Sequence, residues 1–238
     1  MRDPHLLVLA GGFGTRLRSV VSDVPKPLAP VEGYPYLGYL IDSWVAQGVR
    51  SLTFLLHHQA GMIEDFVRGV ERAGRLQGCE IRFLVEPEPM GTGGAVAYAV
   101  REHGLQGDFL VSNADTWLGS GIAQLYAVKS PAVAVVSVAN TQRYGSVRVA
   151  ANKVVHFEEK KNSYGEGMIN AGLYHLEASL FAQWDGIPFS LEREIFPDLV
   201  VAGRLNAVSL NTDFIDIGIP EDYFRFCRWI ALNKAGIL

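Results

Sequence analysis

The sequence predicts an α/β protein: a doubly wound, mainly parallel sheet onto which a smaller β-rich lobe is built. Three observations predict it. Short apolar runs of strand length alternate with stretches of helical periodicity through the first half, the pattern of parallel strands joined by crossover helices. From Ala132 onward that alternation gives way to short β-rich segments separated by turns. The first apolar run, Leu6-Leu7-Val8-Leu9, breaks straight into Gly11, Gly12 and Gly14. Such a loop sits at the carboxyl end of a strand, where open α/β sheets bind their ligands.

Taken in order, the run to Leu9 reads as a fully buried strand. Apolar spacing predicts a helix over 35–49 that stops near Gly48, a strand over 51–56 and a helix over 61–73. A strand follows over 81–85, then a Pro-rich turn and a helix from about 94 to 102. The strand over 109–112 ends at Asn113-Ala114-Asp115. The β-rich segments are 133–138, 146–149, 154–157 and 169–176, and a last helix runs from about 221 to 232. No linker, internal repeat or low-complexity stretch separates the halves. The expectation is one domain over 1–238, with a first part to about 130 and a second from about 131.

Composition narrows the classes. The 238 residues are 49% apolar and 19% charged, enough for a sizeable core. A net charge of -4 gives no reason to expect nucleic acid as a partner. Cys79 and Cys227 have no metal-ligand partners nearby in sequence, so two free thiols in a reducing compartment are expected. The N-terminus shows no basic leader or signal-type apolar region, and no stretch approaches the roughly 18 apolar residues of a spanning helix. The expected location is the cytoplasm, with no membrane partner.

The glycine loop carries the chemistry. Its backbone N–H groups can point at phosphate oxygens, Thr15 adds a hydroxyl, Arg16 a planar cationic fork, and Lys26 (in Pro25-Lys26-Pro27) a point charge. Together they make a polyphosphate cradle. The spacing is neither that of a dinucleotide-binding fingerprint nor that of a Walker loop. A tight turn with surface basic residues would explain Gly-Gly-x-Gly alone. Leu9-Ala10-Gly11-Gly12-Phe13-Gly14-Thr15-Arg16-Leu17 with a downstream Lys26-Pro27, however, resembles the signature of the sugar-1-phosphate nucleotidylyltransferases.

That resemblance, which runs from Leu9 to Tyr223, implies a Rossmann-like nucleotide-diphospho-sugar transferase fold whose β-rich part binds sugar phosphate. It also implies joining of a nucleoside triphosphate to a sugar 1-phosphate with loss of pyrophosphate. Leu9, Ala10, Gly11, Gly12, Gly14, Thr15, Arg16 and Lys26 would then take the nucleotide, with Arg16 and Lys26 catalytic. Asp115 and Asp216 match the two aspartates that hold Mg²⁺; by themselves they read equally well as helix caps. This chain has Ala114-Asp115 where the family more often has Gly-Asp.

Glu86 and the run Gly91-Thr92-Gly93-Gly94 resemble the segment that reads the base, its glycines leaving room for a flat ring. The Glu86 carboxylate only accepts hydrogen bonds and could face the adjacent N1–H and N2–H donors of guanine, which favours GTP. Asn113, Tyr144, Gly145, Glu159, Lys160 and Asn170 would serve the sugar phosphate. Phe157-Glu158-Glu159-Lys160 otherwise reads as a charged strand end in solvent, and Tyr144-Gly145 as a plain turn.

Within the family, the motifs look most like those of guanylyltransferases acting on D-glycero-α-D-manno-heptose 1-phosphate, which supply surface glycans. Mannose 1-phosphate guanylyltransferases and N-acetylmuramate 1-phosphate uridylyltransferases are the rivals, and a catalytically silent nucleotide-sugar-binding regulator stays open. His57-His58 is set aside, since neighbours on a strand face opposite ways. Tyr223, Phe224, Phe226 and Trp229 are spaced like one side of a helix, core or interface, and make a homodimer plausible.

Overall fold

A computed structural model describes residues 4–158 and 165–233. The chain divides into two compact units and passes between them several times. The first comprises the residues up to Glu88, Asn113–Ser120 and those from Asp213; the second comprises Pro89–Ser112 and Gly121–Thr212.

In the first unit three parallel strands, Glu80–Val85, Ser51–Leu56 and His5–Leu9, lie side by side in that order. Leu6, Leu7 and Val8 are fully buried, as are Leu52, Phe54, Leu55 and Leu56. Consecutive buried residues mean that both faces are covered, which is why these strands read as unbroken apolar runs. Helix Tyr36–Ala46 and helix Ala60–Arg72 connect them, the latter burying Ile63, Val67 and Val70 along one stripe. The last helix, Pro220–Asn233, buries Tyr223, Phe226 and Ile230. The Phe226 ring lies 4.8 Å from that of Tyr36 and 5.5 Å from that of Trp117. Phe226 is thus a core residue, whereas Phe224 of the same helix is 46% exposed.

The second unit is the β-rich part. Its central strand, Gly167–Glu177, runs antiparallel to Asp108–Asn113 on one side and to Ala132–Val138 on the other. Strand Asn206–Ser209 joins Ala132–Val138 in parallel, the one parallel pairing among the described strands of this unit. Lys153–Glu158 and Ser146–Ala150 form an antiparallel hairpin beyond it. The central strand slips register between Asn170 and Tyr174, where Gly172 takes a φ of +71°. This is a bulge: Asn170 still pairs with Val135, and the residues between it and Tyr174 leave the ladder.

Several elements differ from the sequence expectation. Helix Gly91–Glu102 starts about three residues early, because Phe189 O accepts the N–H groups of both Gly93 and Gly94 and holds the first turn. Helix Tyr36–Ala46 ends before Val49, whose N–H instead bonds back to Trp44 O. The short helices Ile122–Tyr126 and Phe196–Val201 and the strands Thr116–Leu118, Asn206–Ser209 and Phe214–Asp216 were not expected at all. Each is six residues or fewer.

Candidate active site

The strand His5–Leu9 delivers the glycine loop, and hydrogen bonds from Ala10 N–H to Leu55 O and from Ala114 N–H to Leu9 O fix its start. Gly11 is tightly enclosed: a Cβ there would stand 3.0 Å from Glu86 Oε1 and 3.2 Å from the His57 backbone nitrogen. Gly14 sits in the left-handed region at φ 59°, and a Cβ on it would come within 2.9 Å of Lys26 Cβ. The backbone at Gly14 in particular favours glycine. Thr15–Leu17 and Lys26–Leu28 are single turns of 3₁₀ helix, so Thr15, Arg16 and Lys26 all sit on tight turns rather than regular elements.

Two aspartates from distant parts of the chain meet through a two-stranded ribbon. Thr116–Leu118 pairs antiparallel with Phe214–Asp216, Asp216 opposite Thr116, and Ile217 N–H donates to Asp115 O at 2.9 Å. This brings Asp115 and Asp216 to one end of the ribbon, both toward Lys26. Lys26 Nζ is 2.5 Å from Asp115 Oδ2 and 3.8 Å from Asp216 Oδ1, and its side chain is only 10% exposed. Asp115 Oδ1 also accepts from the Thr116 hydroxyl at 3.2 Å, and Asp216 Oδ1 from Gly218 N–H at 2.6 Å. A Cβ on Gly218 would fall 2.7 Å from Asp216 Oδ1, so this glycine is part of the site.

Burial by itself pushes the Asp115 carboxyl up. The Lys26 ammonium, the Thr116 hydroxyl and the Arg16 guanidinium outweigh it and hold Asp115 below the ordinary carboxylate range. Tyr36, fully buried, was also missed. Burial and the Asp115 and Asp216 charges raise its phenol well above the usual value, and its hydroxyl has no hydrogen-bond partner among the described residues. It stays a neutral phenol near the carboxylates.

The ammonium stands in for a cation between two hard oxygen donors, so the pair fits a divalent metal. No group of three or more His, Cys, Asp or Glu side chains is gathered among the described residues. Further ligands would be water and substrate oxygens, as usual for Mg²⁺.

Glu86 is 7% exposed and lies against Gly11. His57 Nδ1 is 3.2 Å from Glu86 O, which fixes Nδ1 as the protonated nitrogen because a carbonyl only accepts. The opposite-faces argument for His57 and His58 fails, since the strand ends at Leu56. Both rings instead approach Phe13 of the glycine loop, at 5.8 and 5.1 Å.

In the second unit the glycine run differs from its sequence reading. A Cβ on Gly91 would lie 2.5 Å from Phe189 O, and one on Gly93 would lie 2.1 Å from the Phe189 ring. The space these glycines free is filled by Phe189 and not left for a flat base. Thr92 donates its hydroxyl proton to Glu192 at 2.6 Å and accepts from Leu191 N–H at 3.0 Å. Asn170 N–H donates to Gly145 O, which brings together two of the residues expected at the sugar. Arg143 lies over the Tyr144 ring next door. Glu159 and Lys160 lie outside the described residues. Glu192 was not anticipated, although Ser190 before it carries a helix-cap signal: its hydroxyl accepts from the N–H of Glu192 and of Arg193, while Glu194 takes Ser190 N–H.

The chain is 30% identical to the D-glycero-α-D-manno-heptose 1-phosphate guanylyltransferase of Campylobacter jejuni over 92% of its own length and 97% of that protein. It is 31% identical to the enzyme of the same name from Aneurinibacillus thermoaerophilus, covering 91% and 94%. HddC from Yersinia pseudotuberculosis, solved in complex with GMP-PN, superposes with a TM-score of 0.82 at 32% identity, covering 95% of this chain and 99% of that one. The nucleotidyl transferase family model matches residues 5–231, a span that starts on the strand feeding the glycine loop and runs past both aspartates into the last helix. This chain therefore belongs to the nucleotidyl transferase family.

Proposed function

We propose that this protein transfers GMP from GTP to D-glycero-α-D-manno-heptose 1-phosphate, giving GDP-heptose and pyrophosphate for surface-polysaccharide synthesis. The observation that carries the reading is Lys26 Nζ held by Asp115 and Asp216 next to the glycine loop. An oxygen of the sugar phosphate attacks the α-phosphorus, a P–O bond forms, and the α–β bridging bond breaks to release pyrophosphate. Two anions must approach, so the work is charge neutralisation and in-line positioning. Gly11, Gly12, Gly14 and Thr15 take the triphosphate, and Arg16 and Lys26 neutralise it. Asp115 and Asp216 would hold Mg²⁺, which when bound supplies Lewis-acid stabilisation of the phosphate oxygens. With the two carboxylates holding the metal, the Lys26 ammonium would serve the phosphates.

Glu86, a buried carboxylate beside the loop, supports guanine as the base. Gly91 and Thr92 are the remaining nucleotide residues, Thr92 through its main chain, because its hydroxyl proton is committed to Glu192. Asn113, Tyr144, Gly145, Glu159, Lys160 and Asn170 take the sugar phosphate, with Lys160 on its phosphate. Free thiols at Cys79 and Cys227 accord with a cytoplasmic enzyme. No described helix is long and apolar enough to cross a membrane.

The test is pyrophosphate release from each of four nucleoside triphosphates against heptose, mannose and N-acetylmuramate 1-phosphates with Mg²⁺. GTP with the heptose 1-phosphate is expected to give the highest kcat/KM. Preference for mannose 1-phosphate or for UTP would reassign the substrate, and silence with every pair would leave a binding protein.

A further inference from the structure

We propose that Glu192 is a positioning residue that orients the Thr92 hydroxyl and the Asn170 amide from one carboxylate, tying the nucleotide loop to the sugar-binding asparagine. The proposal rests on the assignments of Thr92 and Asn170 made under the function above.

Glu192 lies in the turn Leu191–Ile195 and collects donors from three separate segments of the second unit. Its Oε2 accepts from Thr92 Oγ1 at 2.6 Å and from Ser190 Oγ at 2.8 Å, and its Oε1 accepts from the Tyr174 hydroxyl at 3.0 Å. An ionised carboxylate has no proton to give, so it dictates where all three hydroxyl protons point. The consequence travels one residue further. With its proton turned to Glu192, the Tyr174 oxygen is an acceptor for Asn170 Nδ2, 2.9 Å away. Asn170 Oδ1 takes Gly172 N–H at 3.0 Å, so the amide cannot flip. Among the described residues this leaves one N–H and one lone pair of Asn170 in a set direction for a ligand. Tyr174 is fully buried, and in such surroundings charge-assisted hydrogen bonds hold their geometry strongly.

At the other oxygen the Thr92 hydroxyl is held at both ends, giving to Glu192 and accepting from Leu191 N–H. This pins the first turn of helix Gly91–Glu102 to the turn that carries Glu192. A carboxylate that served folding alone would have no reason to end in the two groups assigned to different substrates.

The experiment uses the whole protein, with KM for GTP and for the sugar 1-phosphate, kcat, and thermal midpoint measured for three variants. Glu192→Gln keeps the size but brings an NH₂ donor, so at least one hydroxyl must turn round. Loss of a charge-assisted hydrogen bond is worth about tenfold, and both KM values are expected to rise by about that factor with the midpoint little changed. Tyr174→Phe cuts only the sugar arm and should raise the sugar 1-phosphate KM while leaving that for GTP alone. Thr92→Val cuts only the nucleotide arm and should do the reverse, with Thr92→Ser restoring the wild-type values. Both KM values within twofold of wild type in Glu192→Gln, or equal rises for both substrates in Tyr174→Phe, would overturn the proposal while leaving the function standing. An unmodified protein that releases no pyrophosphate with any substrate pair would overturn the function and this proposal together.

Discussion

Replacing Lys26 by methionine removes the ammonium that faces two carboxylates while keeping a stem of similar length. Breaking one side of a buried ion pair costs roughly 3–5 kcal/mol. The Asp115 side chain is 35% exposed, however, and water recovers part of that loss. With that screening, about 1–2 kcal/mol is the expected cost. For a chain of 238 residues each kcal/mol moves the melting point by about 2–4 °C, so Tm should fall by roughly 2–8 °C at pH 7. The pH dependence identifies the cause. The native Asp115 carboxyl titrates below its ordinary value, so its contribution is present above the unfolded pKa of about 3.9 and is lost as pH falls through the native one. Wild type and Lys26→Met should therefore converge below about pH 4. Millimolar Mg²⁺ should restore more of the variant's Tm than it adds to wild type, because the metal no longer competes with an ammonium. Differential scanning calorimetry from pH 3 to 7, with and without Mg²⁺, reads all three effects. An equal Tm deficit at pH 3 and pH 7 would refute the electrostatic account and leave the packing of the stem against Gly14 as the cause.

Asp115→Asn and Asp216→Asn should each lower turnover by about 100-fold or more at saturating Mg²⁺ with the circular dichroism spectrum unchanged; near-normal turnover in either would remove that residue from the metal pair. Glu86→Gln should lose GTP efficiency by about ten- to a hundredfold, since an NH₂ would then face a guanine donor, and UTP efficiency should change little. An unaltered GTP-to-UTP ratio would mean that Glu86 does not read the base. Gly218→Ala puts a methyl against Asp216 Oδ1, so the Mg²⁺ concentration for half-maximal rate should rise several-fold while Tm moves little. A normal Mg²⁺ dependence would show that the turn can shift to make room.

What could be read from the chain was what is local. The buried strand before the glycine loop, the helices Tyr36–Ala46 and Ala60–Arg72 and the β-rich half all declare themselves through runs or periodicity over five residues or more. The ribbon that joins the aspartates consists of two three-residue strands, too short for alternation to register. Asp115 and Asp216 were paired through family resemblance and not by pattern. Glu192 escaped because Thr92 and Tyr174 lie far from it in sequence, and only the fold makes them neighbours. The glycines at 91–94 were legible as glycines, but what fills the space beside Gly91 and Gly93 is Phe189, again a distant residue. His57 and His58 are hydrogen-bonded side chains, as expected, but the alternation rule is not the reason, since the strand ends at Leu56 before either of them.

The short ribbon has a bearing on which sequence changes this chain can accept. Side chains alternate faces along a strand, so sliding Phe214–Asp216 by one residue against Thr116–Leu118 would turn Asp216 away from Asp115. Three residue pairs hold that alignment, Ile215 opposite Trp117 at the centre, both nearly fully buried. A single-residue insertion or deletion near 117 or 215 would leave the longer strands untouched and the glycine loop intact. It would nonetheless separate the two carboxylates, so among chains of this length such an indel marks a protein that folds with its aspartate pair broken.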